Sequence, residues 1–189
     1  RDLHVRSRRQ RQMCIRDRYS GTGTYQLNAN FVGNTGGGGG ENPPPTGGCN
    51  YGARPSKPSN LTSYITGSGT DTCVTLSNPA LLLMGGGTDV DNAFSLRVGP
   101  HIQGGNIVVL RTSGTNAYNT YLQGLTNAAS VETIIVDTVT KANTDYVDWA
   151  IRSAEFVWLA GGDQSAYLNA WKGTCLLYTS DAADDSLRV

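Results

Sequence analysis

The most constraining part of this sequence is the run from Glu155 to Trp171, which predicts a strand, a tight turn and a helix in direct succession. Phe156 to Ala160 is apolar on both faces, which is typical of a parallel strand covered by helices on both sides. Gly161-Gly162 permits a sharp turn and leaves backbone N–H groups uncovered. Asp163 stands at the N-cap position of a helix whose following residues keep helical spacing, namely Gln164, Tyr167, Leu168 and Trp171.

The chain between residues 80 and 174 repeats this alternation of strand and helix. The predicted strands are Ala80 to Met84, Asn106 to Arg111, Val131 to Val136 and Phe156 to Ala160, each followed by a helical pattern. Alternation of this kind is typical of an α/β domain in which a parallel sheet lies between two layers of helices. Right-handed crossovers would bring the turns that follow the strands to one edge of the sheet.

Ligands of open α/β sheets bind beyond the carboxyl ends of the strands, so the turns are the candidate site. The residues concerned are Gly86 and Asp89 after the first predicted strand, Ser113 after the second, and Gly161, Gly162, Asp163 and Gln164 after the fourth. The alternative interpretation of Gly161-Gly162-Asp163 is a plain turn with a capped helix. Ser113 lacks a Gly-x-Ser-x-Gly elbow, and a surface position is expected for His101.

The chain resembles the cyanophycinase branch of the S51 serine peptidases. The resemblance rests on a hydrophobic strand ending in Gly161-Gly162-Asp163-Gln164 and on the upstream run Leu82-Leu83-Met84-Gly85-Gly86-Gly87-Thr88-Asp89. It covers residues 81 to 174 and implies part of a three-layer α/β/α fold of the class I glutamine amidotransferase-like or flavodoxin-like kind. The related aspartyl dipeptidases are less similar, because Asn-Thr is expected there where this chain has Asp163-Gln164.

The resemblance also implies roles for the turn residues. The paired glycines Gly161 and Gly162 would help to line an oxyanion hole, and Gln164 would lie in the substrate pocket. Gly86, Asp89, Asp163 and Ser113 are expected near that pocket. The nucleophilic serine and the histidine of the family lie further along the chain than Thr174, so we expect this sequence to hold part of a pocket and no catalytic pair.

The two ends of the sequence share one DNA origin. If Met13 to Asp17 is encoded by ATG TGT ATA AGA GAC followed by AG, the complementary strand contains TGT CTC TTA TAC ACA T, which encodes Cys175-Leu176-Leu177-Tyr178-Thr179. The correspondence continues through both tails, and this DNA resembles the adaptor of transposase-based sequencing libraries. We therefore interpret residues 1–18 and 175–189 as adaptor-derived and exclude them from fold prediction.

The insert between these tails has its own organisation and charge. Residues 19–34 predict the last strand of a preceding module, residues 35–48 a Gly/Pro-rich linker, and residues 49–79 a polar loop region. With seven Lys or Arg and ten Asp or Glu, the insert carries a net charge of −3. Without the arginine-rich tail no basic surface for nucleic acid is predicted. Cys49 and Cys73 could close a disulfide, and together with the linker they favour a secreted protein over an intracellular one with two free thiols.

These observations lead to one main hypothesis and one alternative. The main hypothesis is a fragment of a cyanophycinase-like peptidase that acts on β-aspartyl-arginine or related isopeptide bonds in a peptide or cyanophycin-like polymer. No metal and no other cofactor is expected, because two cysteines and one histidine do not make a metal site. No membrane span is seen, and the oligomeric state is open, with a homodimer among the alternatives. The alternative function is a non-catalytic binding or structural module of a secreted multidomain protein.

Overall fold

The structure, a computed structural model, describes residues 51–76, 80–85 and 87–176. The predictions for residues 1–50, for Gly86 and for residues 177–189 lie outside the described residues. Within the described part, four strands form one mixed sheet in the order β1-β3-β2-β4. The strands are β1 (Thr62–Gly67), β2 (Asn106–Arg111), β3 (Ser130–Ile135) and β4 (Phe156–Leu159).

Strands β2, β3 and β4 are parallel, as the alternation of strands and helices predicts. β2 lies in the middle and pairs with β3 on one side and with β4 on the other. Strand β1 pairs antiparallel with β3, with Thr62 opposite Ile135 and Gly67 opposite Ser130. The protein is therefore a mixed α/β structure with a mostly parallel sheet.

Five helical segments connect and cover the strands. Helix α1 spans residues 91–102 and changes from α (Asp91–Ala93) to π (Phe94–Val98) and back to α (Gly99–Ile102). The others are α2 (Ala117–Thr126), α3 (Val139–Ala142), α4 (Asp145–Ser153) and α5 (Gln164–Trp171). The π-helical widening precedes Pro100, whose nitrogen cannot donate a hydrogen bond to the preceding turn.

The side chains of the sheet pack into two separate hydrophobic cores, one on each face of the sheet. Ile107, Val109 and Val131 pack against α1 and α2, where Phe94 is fully buried. On the opposite face, the buried residues of β2 and β3 pack against α3, α4 and α5. Crossovers β2-α2-β3 and β3-α4-β4 run in opposite directions across the sheet, so a common hand requires their helices on opposite faces, which is where they lie.

Two local predictions are wrong. Residues 80–84 belong to no strand and to no helix. Leu82 and Met84 pack on the α1/α2 core, while Leu81 and Leu83 are 82% and 81% exposed. Sequence alternation alone cannot distinguish a sheet strand from a segment that lies across a core. Conversely, residues 49–79 are not simply a polar loop, because they contain β1.

The described packing extends two residues beyond Thr174. Leu176 is 1% exposed in the core beneath α3 to α5, and the Cys175 N–H donates to Asn143 Oδ1 at 2.8 Å. The exclusion of these two residues from the fold is therefore wrong, because they fill space against the core whatever DNA encodes them. Cys73 and Cys175 are both disulfide-bonded. The expected Cys49–Cys73 pairing stays a prediction, because Cys49 lies outside the described residues.

Gly67 ends β1 in a conformation that other residues rarely adopt. Its φ is +93°, and a Cβ there would collide with the Ala129 carbonyl oxygen and lie 2.5 Å from Gln123 Nε2. We predict that Gly67→Ala lowers the free energy of unfolding by about 2 kcal/mol or more, because strain and overlap add. The measurement is urea denaturation. Gly69→Ala is the control, since Gly69 has open space around it; equal effects of the two substitutions would contradict the prediction.

Candidate functional site

The carboxyl ends of β2 and β4 lie side by side in the sheet, and we call the space between the loops that follow them the crevice. After β2 the chain continues to α2 on one face of the sheet, and after β4 it continues to α5 on the other face. Because the two connections leave adjacent parallel strands toward opposite faces, they diverge at a topological switch point. The loops that border the crevice are residues 112–116 and residues 160–163.

The loop after β4 exposes backbone donors. Gly161 and Gly162 are exposed, and within the described part of the chain neither N–H donates to a backbone or side-chain acceptor. A Cβ on Gly162 would lie 2.8 Å from Tyr167 Cε2, so this position has no room for a side chain. Tyr167 supports the loop from α5 by donating its hydroxyl to the Ala160 carbonyl at 2.6 Å. Tyr167 thus supports the backbone that carries the two free N–H groups.

Asp163 caps the helix that follows this loop. Its Oδ1 accepts a hydrogen bond from the Ser165 N–H at 2.8 Å, as the sequence predicts for an N-cap residue. The carboxylate is therefore engaged with the helix N-terminus. Gln164 is exposed in the first turn of α5. The expected pocket roles of both residues stay predictions.

Arg111 brings a positive charge to the β2 side of the crevice. Its guanidinium lies over the Tyr118 ring, 5.6 Å from the centroid, and Nη1 is 3.5 Å from the Thr115 carbonyl oxygen. Its Nε is buried and has no hydrogen-bond partner among the described residues. Gly114, with φ at +105°, leaves space for the guanidinium, because a Cβ there would lie 2.8 Å from Arg111 Cζ.

The positive charge of Arg111 also affects the pKa of Tyr167. Burial raises the pKa of the Tyr167 hydroxyl, and the guanidinium and the Thr112 backbone N–H oppose that rise. The Tyr167 hydroxyl is thus influenced by Arg111 and Thr112 at the end of β2, and it donates a hydrogen bond to Ala160 at the end of β4. Tyr167 is therefore close to both Arg111 and the loop that contains Gly161 and Gly162.

Aromatic residues connect Arg111 to Asp89. The Tyr118 hydroxyl donates to Asp89 Oδ2 at 2.9 Å, and its ring lies edge-on to Trp158 with a centroid distance of 6.4 Å. Burial and the bond to Asp89 raise the pKa of Tyr118, while Trp158 and Arg111 oppose the rise. Trp158 Nε1 is buried without a hydrogen-bond acceptor among the described residues. Tyr118 thus links Asp89 to Arg111, through a hydrogen bond to the carboxylate and a ring contact with the guanidinium.

Ser113 and His101 lie at opposite ends of β2. Ser113 is exposed two residues after the strand ends, whereas His101 belongs to the last turn of α1, before the strand begins. A six-residue strand spans roughly 20 Å at about 3.3 Å per residue. The two residues therefore cannot act as a nucleophile and its base.

A second polar cluster lies at the opposite edge of the sheet, where the parallel strands begin. Part of it comes from residues 49–79, which the sequence predicts as a polar loop. A small cleft of about 20 Å³ is lined there by residues that include Arg54, Asp71, Asn106, Glu132 and Trp149. The Glu155 carboxylate lies beside it and accepts from the Asn106 N–H at 2.6 Å and from the Val74 N–H at 3.2 Å. Asn106 Nδ2 in turn donates to Asp71 Oδ1 at 2.7 Å.

Five residues on which one or the other cluster depends were not predicted as site residues from the sequence. They are Arg54 and Glu132 at the amino edge, and Arg111, Tyr118 and Tyr167 at the crevice. Two of them carried a usable signal. Glu132 is a lone carboxylate in an otherwise apolar or hydroxyl-bearing strand, and Arg111 is a charge at the exact end of a buried strand. A charge in such a position requires a partner, so each marks a polar contact. The other three show no distinguishing pattern in the sequence.

Comparisons with protein-family models, with curated proteins and with solved structures gave no match. Within residues 51–76, 80–85 and 87–176, no three His, Cys, Asp or Glu side chains are grouped to hold a metal ion. In the same part of the chain, every helix is too short or too polar to cross a membrane.

The Glu155 carboxyl predicts a pH dependence of stability. Burial raises its pKa above the ordinary 4.5, and Asp71 adds to the rise, although the backbone donors oppose it. As the pH rises through this window, the unfolded chain releases its proton before the folded chain does, so the folded state loses stability. A difference of one between the two pKa values corresponds to about 1.4 kcal/mol.

We therefore expect the stability of the wild-type chain relative to Glu155→Gln to fall as the pH increases from 4.5 toward 7. Urea denaturation of both chains at several pH values measures this difference. A difference that grows with pH would mean that the hydrogen bonds to the carboxylate outweigh its burial.

Proposed function

We propose that this chain is the binding half of a cyanophycinase-like serine peptidase, secreted, with its nucleophilic serine and histidine in the part of the parent that follows Thr174. The observation that carries the proposal is the pair of free N–H groups of Gly161 and Gly162, exposed after β4 at a switch point next to β2, the strand that ends in Arg111. Donors of this kind, near a fixed positive charge, suit a substrate with a carboxylate and a reacting carbonyl. The same site requires no cofactor.

The chemistry would divide the substrate between the two loops. The guanidinium of Arg111 would bind the free α-carboxylate of a β-aspartyl group, and the Gly161 and Gly162 N–H groups would face the carbonyl oxygen of the isopeptide bond. When a nucleophile attacks that carbonyl, its oxygen becomes negative, and each preorganised donor contributes about 2.7–4 kcal/mol to stabilising the transition state. Ser113 borders the crevice but has no histidine beside it, because His101 lies at the other end of β2.

The flavodoxin-like assignment has support in the strand order. In chain order the parallel strands lie second, first, third across the sheet, which is the order at the start of flavodoxin-like folds. Secretion has support in the disulfide state of Cys73, since disulfides persist in oxidising compartments. Both assignments are parts of the proposal.

The alternative function is a non-catalytic binding module. It is favoured by the amino-edge cleft, because a second polar site with a buried carboxylate is not needed for peptide hydrolysis at the other edge. The two functions differ in whether the parent carries a serine elbow and a later histidine.

Binding by the chain itself can be tested with β-aspartyl-alanine, a ligand that carries the carboxylate and the isopeptide bond but no guanidinium. We expect amide resonances of residues 111–115 and 160–163 to shift on titration in ¹⁵N NMR. Arg111→Ala should weaken binding about tenfold or more, because it removes a charge-assisted contact. Arg97→Ala, which removes an exposed arginine on α1, is the control. Equal affinities of wild type and Arg111→Ala would contradict the carboxylate role.

Catalysis can be tested on the uninterrupted parent gene, recovered by long-read sequencing of the source DNA. We expect the segment after Thr174 to encode a Gly-x-Ser-x-Gly elbow and then a histidine, and the purified parent to hydrolyse β-aspartyl-arginine. Replacing the elbow serine with alanine should reduce the rate by a factor of about 10⁴ or more. A parent without the elbow would overturn the peptidase proposal and favour the binding module.

A further inference from the structure

The chain inserts one of its own arginines into a pocket at the amino edge of the sheet. Arg54 lies in the segment before β1, which has no regular secondary structure, and its guanidinium forms an ion pair with Glu132 in β3. The same group donates to the Tyr146 hydroxyl at 2.6 Å and to the Gly69 carbonyl at 3.1 Å. It also lies near two aromatic rings, 5.1 Å from the centroid of Tyr146 and 5.3 Å from that of Trp149.

The acceptors of this guanidinium among the described residues belong to β3, to α4 and to the turn after β1. Glu132 is 5% exposed, and its other oxygen, Oε1, accepts from the Tyr146 hydroxyl at 2.6 Å. Tyr146 and Trp149 lie three residues apart on α4, so a single helix face presents both rings. A planar cation that accepts aromatic contact on its faces and donates along its edges is the group that such a pocket matches.

The cation itself comes from a segment before β1 that has no regular secondary structure. Apart from Arg54, residues 51–54 contact α4 through a hydrogen bond from Trp149 Nε1 to the Gly52 carbonyl at 3.1 Å. The pocket continues into the cleft that contains Asp71. Within that cleft and its wall, three carboxylates (Asp71, Glu132 and Glu155) face one arginine, so the local charge is negative even with Arg54 in place. The site therefore attracts a further cation.

We propose that the pocket formed by Glu132, Tyr146, Trp149 and the Gly69 carbonyl is a binding site for the guanidinium of a peptidyl arginine, which the chain itself fills with Arg54. An arginine side chain of a peptide ligand would take the same contacts when Arg54 withdraws, and residues 51–57 would then leave the face of α4. The pocket is at the edge opposite the Gly161-Gly162 crevice, and the proposal does not rest on the function proposed for that crevice.

The test compares thermal unfolding of the full chain with and without small cations. Arg54→Ala leaves Glu132 buried without its cation, and we expect the Tm to fall by roughly 10 °C. Ethylguanidinium at about 10 mM should recover roughly a third of that loss if the dissociation constant is about 1 mM. Ethylammonium at the same concentration and ionic strength should recover little, because it lacks the planar fork.

Three further chains make the result specific. The Tm of Arg97→Ala should not rise with either cation. The double variant Arg54→Ala, Glu132→Gln should lose the response to ethylguanidinium, since the buried carboxylate is gone. Should Arg54→Ala not fold in buffer, Arg54→Lys retains a cation beside Glu132, and ethylguanidinium should raise its Tm more than ethylammonium does.

A wild-type experiment tests the exchange itself. N-acetyl-arginine methylamide should shift the ¹⁵N resonances of Gly52, Gly69 and Trp149, and N-acetyl-lysine methylamide should not. Equal recovery by both small cations, or no recovery of either Arg54 variant, would overturn the proposal and leave Arg54 as a structural ion pair. Because β-aspartyl-alanine carries no guanidinium, failure of this pocket and failure of the crevice are separate results.

Discussion

Backbone pairing of β2 on both of its edges is the constraint on which the rest of the structure depends. Asn106 to Arg111 pairs with β3, and Ile107 to Leu110 pairs with β4. Successive side chains point to opposite faces, so Ile107 and Val109 enter one core and Val108 and Leu110 enter the other. Six residues therefore organise both cores, and the groups at the two ends of the strand belong to the two polar clusters.

Continuity of hydrogen bonding at the strand ends explains why both clusters are ordered. Before β4, the Glu155 N–H donates to the Asn106 carbonyl while its carboxylate accepts from the Asn106 N–H, so one residue closes the ladder from both sides. After β2, the Val136 N–H donates to the Arg111 carbonyl at 2.7 Å, and the Ala160 N–H donates to that of Leu110 at 3.2 Å. The crevice loops thus begin at fixed backbone positions, which is what a preorganised binding site requires.

The sequence predicts the parallel part of the fold well, because β2 and β3 are buried on both faces and β2 and β4 contain continuous apolar runs. β2 was predicted at its observed bounds, and β3 and β4 within one residue of theirs. β1 was missed because an edge strand has no continuous apolar run; its β-branched Thr62, Ile65 and Thr66 were the available signal. Residues 80–84 were mistaken for a strand because their apolar pattern does not specify a hydrogen-bonding partner.

The site was predictable in position and less so in composition. Parallel strands and crossover rules place the Gly161-Gly162 turn at the carboxyl edge from sequence alone. The contacts of Arg111 with Tyr118 and of Tyr167 with Ala160 depend on how α2 and α5 rotate about their axes, which is set by tertiary packing. Arg54 was beyond sequence reasoning for another reason: its partner Glu132 is 78 residues away in the chain.

That separation has a consequence for the order in which the protein assembles during synthesis. Thr62 pairs with Ile135, so β1 and the Arg54 segment leave the ribosome about 70 residues before their partners do. At about 5–20 residues per second, these segments remain unattached for roughly 4–15 s while β2, α2 and β3 are made. Loop closure over such a length is a late and entropically costly step. The first described residues to be synthesised therefore reach their final positions only after β3 has been made.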